Sequence, residues 1–280
     1  ILHPHNRVSQ VQRLQMSTVL DSNIFNLAIE GTFDDCQKIV KDLFIDDEIQ
    51  NKTSLTSVNS INWSRLIAQV VYYYWAYLQL EEEFVSFIVP SGNFGNIFSA
   101  RIAQQMGLPI KNLHIATNQN DILNKIISSG QMVISKVQET FSPSMDIQIS
   151  SNFERQIFYS VNQNSEEVQK IMNEFNQNGK YFFGEEILKN LKNTYRSSSV
   201  SNIETIETIR EIKKKYNYIV DPHTATGLSV LNKINPDHSY ISLGCAHPAK
   251  FAGAIEKAID MKPQYPDQIK NIFDKKEKMT

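Results

Sequence analysis

The sequence has few of the features that mark secreted, membrane or nucleic-acid-binding proteins. It contains two cysteines in 280 residues, Cys36 and Cys245. A disulfide framework is therefore not expected, and the reducing cytoplasm is the favoured compartment. No apolar run reaches the roughly 20 residues that a membrane-spanning helix requires. Because the formal net charge is only −2, neither nucleic acid nor a membrane is a predicted partner.

Several catalytic arrangements are also missing from the sequence. It shows no Ser-His-Asp spacing, no cysteine pair and no cluster of residues spaced as metal ligands. Neither a hydrolase triad nor a metal site is therefore predicted. The composition, 41% hydrophobic and 21% charged, is ordinary for a globular protein of one large or two modest domains. The first residue is Ile1 rather than methionine, from which a fragment or an unusual start codon is expected.

The most informative segment is a glycine-rich turn between a strand and a helix. Residues 84–89 are almost wholly apolar, which is typical of a strand buried on both faces of a parallel sheet. Apolar residues then recur at helical spacing over residues 97–106. Gly92 and Gly95 can take positive φ and let backbone approach a ligand, and the N–H groups of the helix start can face an anion. The turn predicts a phosphate-binding cup, although ordinary α/β construction uses the same pattern.

The elements after this turn indicate a doubly wound α/β fold. A second strand is expected over residues 113–116 and a helix over 121–129, the spacing of a right-handed parallel crossover. A last strand over 240–243 leads into a helix over 249–259. Ligands of such sheets lie at the carboxyl ends of the strands, and residues 91–96 fall at such an end.

The regions on either side of this core are predicted in less detail. A polar, Ser/Thr-rich stretch over residues 46–58 indicates a hinge, and residues 153–216 are predicted to be helical. Ser60 is expected to start a long helix. Its predicted buried stripe consists of seven apolar residues: Trp63, Leu66, Ile67, Val70, Val71, Tyr74 and Leu78.

Five short motifs, in the same order along the chain, resemble those of threonine synthases, which are pyridoxal-phosphate enzymes of fold type II. The motifs are Asn59-Ser60-Ile61-Asn62-Trp63-Ser64-Arg65, Ser91-Gly92-Asn93-Phe94-Gly95-Asn96, Ser142-Pro143-Ser144-Met145-Asp146, Asp221-Pro222-His223-Thr224-Ala225 and Ala246-His247-Pro248-Ala249-Lys250-Phe251. Several ordered matches are far more specific than one glycine-rich loop. The resemblance extends from the first residues to about residue 251 and is to the C-terminal part of the family.

The resemblance implies both a fold and a domain organisation. The fold is α/β, with the doubly wound, mostly parallel sheet of the type II pyridoxal-phosphate enzymes, a remnant of a smaller α/β domain and a helical insertion. Residues 1–50 would be the C-terminal part of the small domain. Residues 51–262 would form the large cofactor-binding domain, with a possible helical subdomain over about 131–216. Residues 263–280 would be a polar, mobile tail.

The resemblance also implies an activity and a set of site residues. Threonine synthases use pyridoxal 5'-phosphate to convert O-phosphohomoserine and water to threonine and phosphate, the last step of threonine biosynthesis. The implied cofactor-binding residues are Gly92, Asn93, Phe94, Gly95, Asn96 and Cys245. The possible substrate-side residues are Asn59, Asn62, Arg65, His223 and His247.

Some of these positions depart from the family or have a simpler explanation. Cys245 stands where the family commonly has a threonine whose hydroxyl meets the pyridine nitrogen, and a thiol is a weaker hydrogen-bond partner. Asn96 stands where many relatives have aspartate. A helix cap and an exposed side chain would explain Asn59 and Arg65, and a helix start would explain His247.

One residue that the chemistry requires has no counterpart here. Enzymes of this family carry their Schiff-base lysine well upstream, in a Phe-Lys-Asp context, and the chain contains no such segment. No catalytic lysine is assigned, and a missing N-terminal segment is an expected partner beside the substrate. The alternatives are a non-catalytic remnant or partner-completed subunit, and a dehydratase or β-replacement enzyme of the same fold.

Overall fold

The computed structural model describes residues 1–234 and 236–280. The β-strands of these residues are β1 (Leu2–Pro4), β2 (Leu27–Ile29), β3 (Val85–Pro90), β4 (Ile110–Thr117), β5 (Gln131–Val133), β6 (Lys180–Phe182), β7 (Tyr195–Ser199) and β8 (Tyr240–Ser242). The α-helices are α1 (Gln10–Ser17), α2 (Phe33–Ile45), α3 (Asp47–Lys52), α4 (Trp63–Tyr77), α5 (Gly95–Gln105), α6 (Ile122–Ser129), α7 (Phe153–Ser160), α8 (Ser165–Asn178), α9 (Glu185–Thr194), α10 (Asn202–Tyr216), α11 (Pro222–Leu231) and α12 (Ala252–Ile259). Short 3-10 helices cover Pro143–Met145, Pro248–Phe251 and Asp267–Asp274.

The larger of two compact units contains residues 56–204 and 226–244. Its sheet has the strand order β7-β4-β3-β8, and every neighbouring pair is parallel. All six residues of β3 are buried, because apolar side chains cover both faces of the sheet. Phe87 and Val89 of β3 enter a large core, and Ile88, between them, packs in a second cluster with Val230 of α11. The predicted parallel α/β sheet is thus confirmed.

The region predicted as a possible helical subdomain, about residues 131–216, divides between the two units: residues 131–204 fall in the larger one and residues 205–216 in the smaller. Phe153, Ile171 and Leu191, from α7, α8 and α9, lie in one core with the sheet residues. The polar strand β7 joins the edge of the sheet beside β4. Residues 131–204 thus share a hydrophobic core with the sheet, and a helical subdomain over about 131–216 stays a prediction.

Helix α4 differs from its prediction in both start and orientation. It begins at Trp63 rather than Ser60, because the side chain of Asn62 caps it by accepting a hydrogen bond from the N–H of Ser64 at 3.0 Å. Its buried residues are Leu66, Val70 and Tyr73, and four of the seven residues of the predicted stripe are exposed: Trp63, Ile67, Val71 and Leu78. The helix is apolar on two adjacent faces, and periodicity alone could not choose between them.

The smaller unit contains residues 1–55, 205–225 and 245–280. Strands β1 and β2 pair in parallel, and the last residue, Thr280, continues this sheet on the other edge of β2. Its N–H donates to the carbonyl of Asn26 at 2.9 Å, and its carbonyl accepts from the N–H of Ala28 at 2.8 Å. The guanidinium of Arg13 donates to Glu277 at 3.0 Å. These bonds hold the end of residues 263–280 in place, in contrast to the mobile tail that their polar composition predicts.

Two kinds of feature are absent from the described residues. None of their helices combines the length and the apolar character needed to cross a membrane. They also contain no grouping of three or more histidine, cysteine, aspartate or glutamate side chains that could hold a metal ion.

Candidate functional site

The turn between β3 and α5 keeps its shape through hydrogen bonds from its own side chains. The hydroxyl of Ser91 accepts from the N–H of Phe94 at 3.1 Å, and the amide oxygen of Asn93 accepts from the N–H of Gly95 at 3.0 Å. The N–H of Ser91 donates to the carbonyl of Ala116 at the end of β4. The turn is therefore fixed at the carboxyl edge of the parallel sheet, where the sequence predicted it.

Phe94 has a packing role within this turn. It has a φ of 68°, the left-handed region that bulky residues rarely adopt. Its ring is fully buried and meets Phe153 and Tyr195 edge-on, with ring centroids 5.1 and 5.4 Å away. The aromatic packing holds a backbone conformation that is expected to cost of order 1–3 kcal/mol. Phe94 supports the loop from inside the core, and its part in cofactor binding stays a prediction.

The two glycines of the turn are needed for a different reason from the one the sequence suggested. Neither Gly92 nor Gly95 has positive φ. A Cβ on Gly92 would lie 3.0 Å from the side chain of Ile147 and from the Cα of Met145. A Cβ on Gly95 would lie 2.9 Å from the Cβ of Ser60. Neighbouring segments of the chain, rather than a ligand, occupy the space that these side chains would take.

Ser60 is a supporting residue that sequence reasoning missed. Its hydroxyl oxygen accepts hydrogen bonds from the side-chain amides of Asn93 at 3.2 Å and Asn152 at 2.9 Å. The N–H of Asn152 in turn donates to the carbonyl of Asn93 at 3.0 Å, and the Ser150 hydroxyl donates to the carbonyl of Gly92 at 2.9 Å. Ser60 lies in the motif at residues 59–65 and Asn93 in the motif at residues 91–96, so the resemblance pointed to both segments. No local sequence feature indicated that these two residues are in contact.

The start of α5 is the part of the turn best suited to an anion. No side chain of its N-cap residue accepts from the first turn of the helix, and those N–H groups have no intrahelical acceptor. The Tyr73 hydroxyl lies 2.7 Å from the Oδ1 of Asn96 and 2.8 Å from its carbonyl oxygen. This contact directs the oxygen of the Asn96 amide towards Tyr73. Main-chain N–H groups and the helix dipole favour negative charge at this position.

A buried polar network supports the loop from the motif that contains Asp146. The Asp146 carboxylate accepts from the side chains of Asn118 at 2.8 Å and Asn120 at 3.0 Å, and from the Thr140 hydroxyl at 2.6 Å. Asn118 and Asn120 follow β4 directly. The network thus anchors the segment around Met145, which touches Gly92, to the carboxyl end of the sheet.

The three candidates before and within α4 shape the entry to that helix. The Oδ1 of Asn59 accepts from the N–H of Ile61 at 2.9 Å, and Asn62 is the N-cap residue of α4. The guanidinium of Arg65 donates to the carbonyl of Val58 at 3.1 Å, and the residue is exposed. Each thus has a structural role in this local turn. A substrate contact by Asn59, Asn62 or Arg65 stays a prediction.

In the smaller unit, Asp221 is the centre of a second network. Its Oδ1 lies 3.1 Å from the Nδ1 of the buried His223, and its Oδ2 accepts from the Thr224 hydroxyl and from the N–H of Ala246. Burial opposes ionisation of Asp221, but the hydrogen bonds from His223 and Thr224 outweigh it, so the pKa of the carboxyl is lowered. Asp221 is therefore a fixed negative charge under the turn that contains Cys245.

Cys245 is held by its backbone in this network. Its N–H donates to the Thr224 hydroxyl oxygen at 2.9 Å. Desolvation by surrounding protein atoms, with the negative charge of Asp221 as a second cause, raises the pKa of the Cys245 thiol to about 12. Cys245 is nonetheless exposed to solvent. Its thiol therefore lies in a shallow site lined by protein atoms and not inside the core. The thiol is neutral at physiological pH.

His247 begins the 3-10 helix Pro248–Phe251. Its Nδ1 accepts from the N–H of Ala249 at 3.2 Å, and the residue is exposed. An accepting Nδ1 places the proton of the neutral ring on Nε2. The helix-start explanation therefore accounts for His247, while a substrate role for His223 or His247 stays a prediction.

Comparisons with known proteins agree over the whole chain. A threonine synthase from Pseudomonas aeruginosa is 43% identical over 285 residues, covering 100% of this chain and 61% of that protein. The pyridoxal-phosphate-bound threonine synthase structure from Brucella melitensis matches with a TM-score of 0.89 at 43% identity, and the yeast threonine synthase structure with 0.86 at 40%. These structures are covered to 61% and 60%, and this chain to 100% in both cases. The family model described as threonine synthase, C-terminal, matches residues 224–280.

These likenesses concern first the class and then the family. The parallel α/β sheet, with the turn at its carboxyl edge, is that of the fold type II pyridoxal-phosphate enzymes. Within that class the chain is similar to the threonine synthases, and its residues 224–280 match the model of their C-terminal region. It spans about three-fifths of the length of the relatives that it matches.

Proposed function

We propose that this chain is the part of a threonine synthase that contributes the phosphate-binding turn for pyridoxal 5'-phosphate in the conversion of O-phosphohomoserine and water to threonine and phosphate. The observation that carries the proposal is the similarity, at 43% identity and a TM-score of 0.89 over the full chain, to a threonine synthase whose structure contains that cofactor. The presence of two cysteines without a disulfide between them supports the cytoplasm as the compartment.

The turn at residues 91–96 fits the phosphate end of the cofactor. The first turn of α5 offers N–H groups to an anion, while side chains already satisfy the N–H groups of Phe94 and Gly95. The carbonyls of Gly92 and Asn93 accept bonds from residues 150 and 152. With its carbonyl groups satisfied in this way, the loop presents donors rather than acceptors to the ligand.

The Asp221 network supports Cys245, the residue that the resemblance implies for the cofactor ring. When bound, the cofactor supplies the electron sink of the reaction, and the protein supplies orientation and proton transfer. Asp221 and Thr224 hold the backbone of Cys245 and Ala246 in place. A neutral thiol at Cys245 can place a weak S–H donor against a ring nitrogen. We assign the role of the Schiff-base lysine to no lysine of this chain.

One alternative keeps support from a specific observation. The chain spans 61% of the Pseudomonas aeruginosa relative and contains no Phe-Lys-Asp sequence of the kind that the resemblance implies for the Schiff-base lysine, which fits a non-catalytic remnant or a subunit that a partner completes. The dehydratase alternative has weaker support. The tomato threonine deaminase structure matches at 13% identity with a TM-score of 0.51, which shows the fold alone.

The phosphate assignment is tested by titrating the chain with pyridoxamine 5'-phosphate in a calorimeter. This ligand has the phosphate but no aldehyde, so it does not react with lysines. Asn93→Asp keeps an acceptor for the N–H of Gly95 but adds a negative charge to the turn. We expect at least about a tenfold loss of affinity, equivalent to about 1.4 kcal/mol.

The control makes the same chemical change elsewhere. Asn190→Asp alters an exposed residue of α9 in the same unit and should leave the affinity within about twofold, because a distant exposed charge is screened. Pyridoxamine without the phosphate should bind both variants equally. Equal affinity of wild type and Asn93→Asp for pyridoxamine 5'-phosphate would refute the assignment of residues 91–96 to the phosphate.

A further inference from the structure

Helix α4 has an uncovered apolar face. Five side chains at helical spacing form a continuous line that we call the α4 stripe: Trp63 (44% exposed), Ile67 (43%), Val71 (61%), Trp75 (67%) and Leu78 (69%). They recur at intervals of three or four residues, so they share one face of the helix. Soluble proteins expose single apolar residues routinely, but a contiguous patch indicates an interaction surface.

The other face of the same helix is also apolar. Leu66, Val70 and Tyr73 enter the core of the larger unit, and the Tyr73 hydroxyl contacts Asn96 at the start of α5. The two apolar faces are adjacent, and such a broad apolar surface is typical of a helix that is buried on more than one side. The sequence of α4 is therefore that of an internal helix, while the structure covers only one of its sides.

The size of the stripe bears on what covers it. With side-chain areas of about 150–250 Å² each and the exposed fractions above, the stripe offers roughly 500 Å². A stable complex between separate proteins buries about 800 Å² per partner. The stripe alone is therefore too small for a stable dimer of two copies, but it can form part of the larger surface over which a further segment of one folded protein packs.

The relatives contain such a segment. The matched part is 61% of the Pseudomonas aeruginosa protein, and the remainder of that protein has no counterpart in this chain. We propose that the α4 stripe is the surface that packs against the N-terminal part of a threonine synthase. The inference rests on the proposed family function, and its consequence is that this packing reaches the phosphate turn through Tyr73 and Ser60.

The chain contains a built-in reporter of this surface. Its only two tryptophans, Trp63 and Trp75, both lie in the stripe, so tryptophan fluorescence and its quenching by acrylamide measure exposure of the stripe alone. The probe is the N-terminal part of the Pseudomonas aeruginosa relative, made without tryptophan, and added to the whole chain. We expect a one-to-one complex by sedimentation, a blue-shifted emission and a severalfold weaker quenching.

Two variants of adjacent residues separate the stripe from a general charge effect. Val71→Glu places a charge within the stripe, and Tyr72→Glu places the same charge on a residue of similar exposure, 54%, one position further round the helix. We expect Val71→Glu to weaken the complex at least tenfold and Tyr72→Glu to leave it within about threefold, because a buried charge is costly and an exposed one is not. Circular dichroism should show both folded.

The outcomes are distinguishable. Self-association of the chain that Val71→Glu abolishes would assign the stripe to a second copy and overturn the inference. Quenching unchanged by the probe, both in trans and when the probe is joined genetically to the chain, would also overturn it. Because the readouts are sedimentation and fluorescence, a complex that forms but binds no pyridoxamine 5'-phosphate would count against the proposed function only.

Discussion

Replacing Gly95 with alanine should destabilise the turn between β3 and α5 through Ser60. The backbone of Gly95 is not in the left-handed region, so alanine adds no φ strain. Its Cβ would lie 2.9 Å from the Cβ and 3.1 Å from the hydroxyl oxygen of Ser60, and 3.2 Å from the amide nitrogen of Asn152. Ser60 must move by several tenths of an ångström, which strains its two hydrogen bonds. Overpacking of this kind costs about 1–3 kcal/mol.

A double-mutant cycle tests this cause. Ser60→Gly alone should cost about 1–2 kcal/mol, because two side-chain amides lose their acceptor. The double variant Gly95→Ala/Ser60→Gly removes the clash. Its loss in the free energy of unfolding in urea should fall short of the sum of the single losses by at least about 1 kcal/mol.

The control is another glycine. A Cβ on Gly253, within α12, would meet nothing within 4 Å, so Gly253→Ala should be neutral or should stabilise the chain by up to about 1 kcal/mol. A Gly95→Ala variant as stable as the wild type, or single losses that simply add, would refute the assignment of this glycine to packing against Ser60. The phosphate affinity of each folded variant then reports the loop geometry separately.

Three further results are expected. Burial lowers the pKa of His114 to about 4 from 6.5, so as the pH falls the unfolded chain takes up this proton before the folded chain does. The free energy of unfolding should therefore fall by about 3 kcal/mol between pH 6.5 and 4. If His114 is the cause, this fall should be absent in His114→Gln. Cys245 should react slowly with iodoacetamide at pH 8 and faster in Asp221→Asn, because that carboxylate helps to raise the thiol pKa; equal rates would exclude the coupling. Gly227→Ala should destabilise the chain by more than about 2 kcal/mol in urea, because its Cβ would lie 2.5 Å from the Ser242 hydroxyl; a stable variant would show that Ser242 moves freely.

Much of the fold was predictable, since it depends on local and strongly periodic signals. The apolar run of β3 and the apolar spacing of α5 predicted the central strand and helix at their observed places. The strand β7 was not predictable, because its Ser-rich sequence carries no strand signal and only pairing with β4 makes it one.

The site was predictable in position but not in construction. The motif order indicated the turn, yet the positive φ of Phe94 depends on aromatic partners from residues 153 and 195, far along the chain. The contact of Ser60 with Gly95 is equally non-local. The prediction of which face of α4 is buried was wrong for another reason. Both candidate faces are apolar, and which one is buried depends on the elements that pack on each side of the helix.

The pairing of Thr280 with β2 has a consequence for the behaviour of the protein in solution. An unpaired strand edge is a template for pairing with another molecule and for aggregation. The last residue of the chain occupies one such edge of β2, and the main chain of Lys278 binds the carbonyl of Ser17 next to it. Loss of residues 278–280, or any change that pulls Thr280 away from β2, would therefore expose an edge that these residues keep closed.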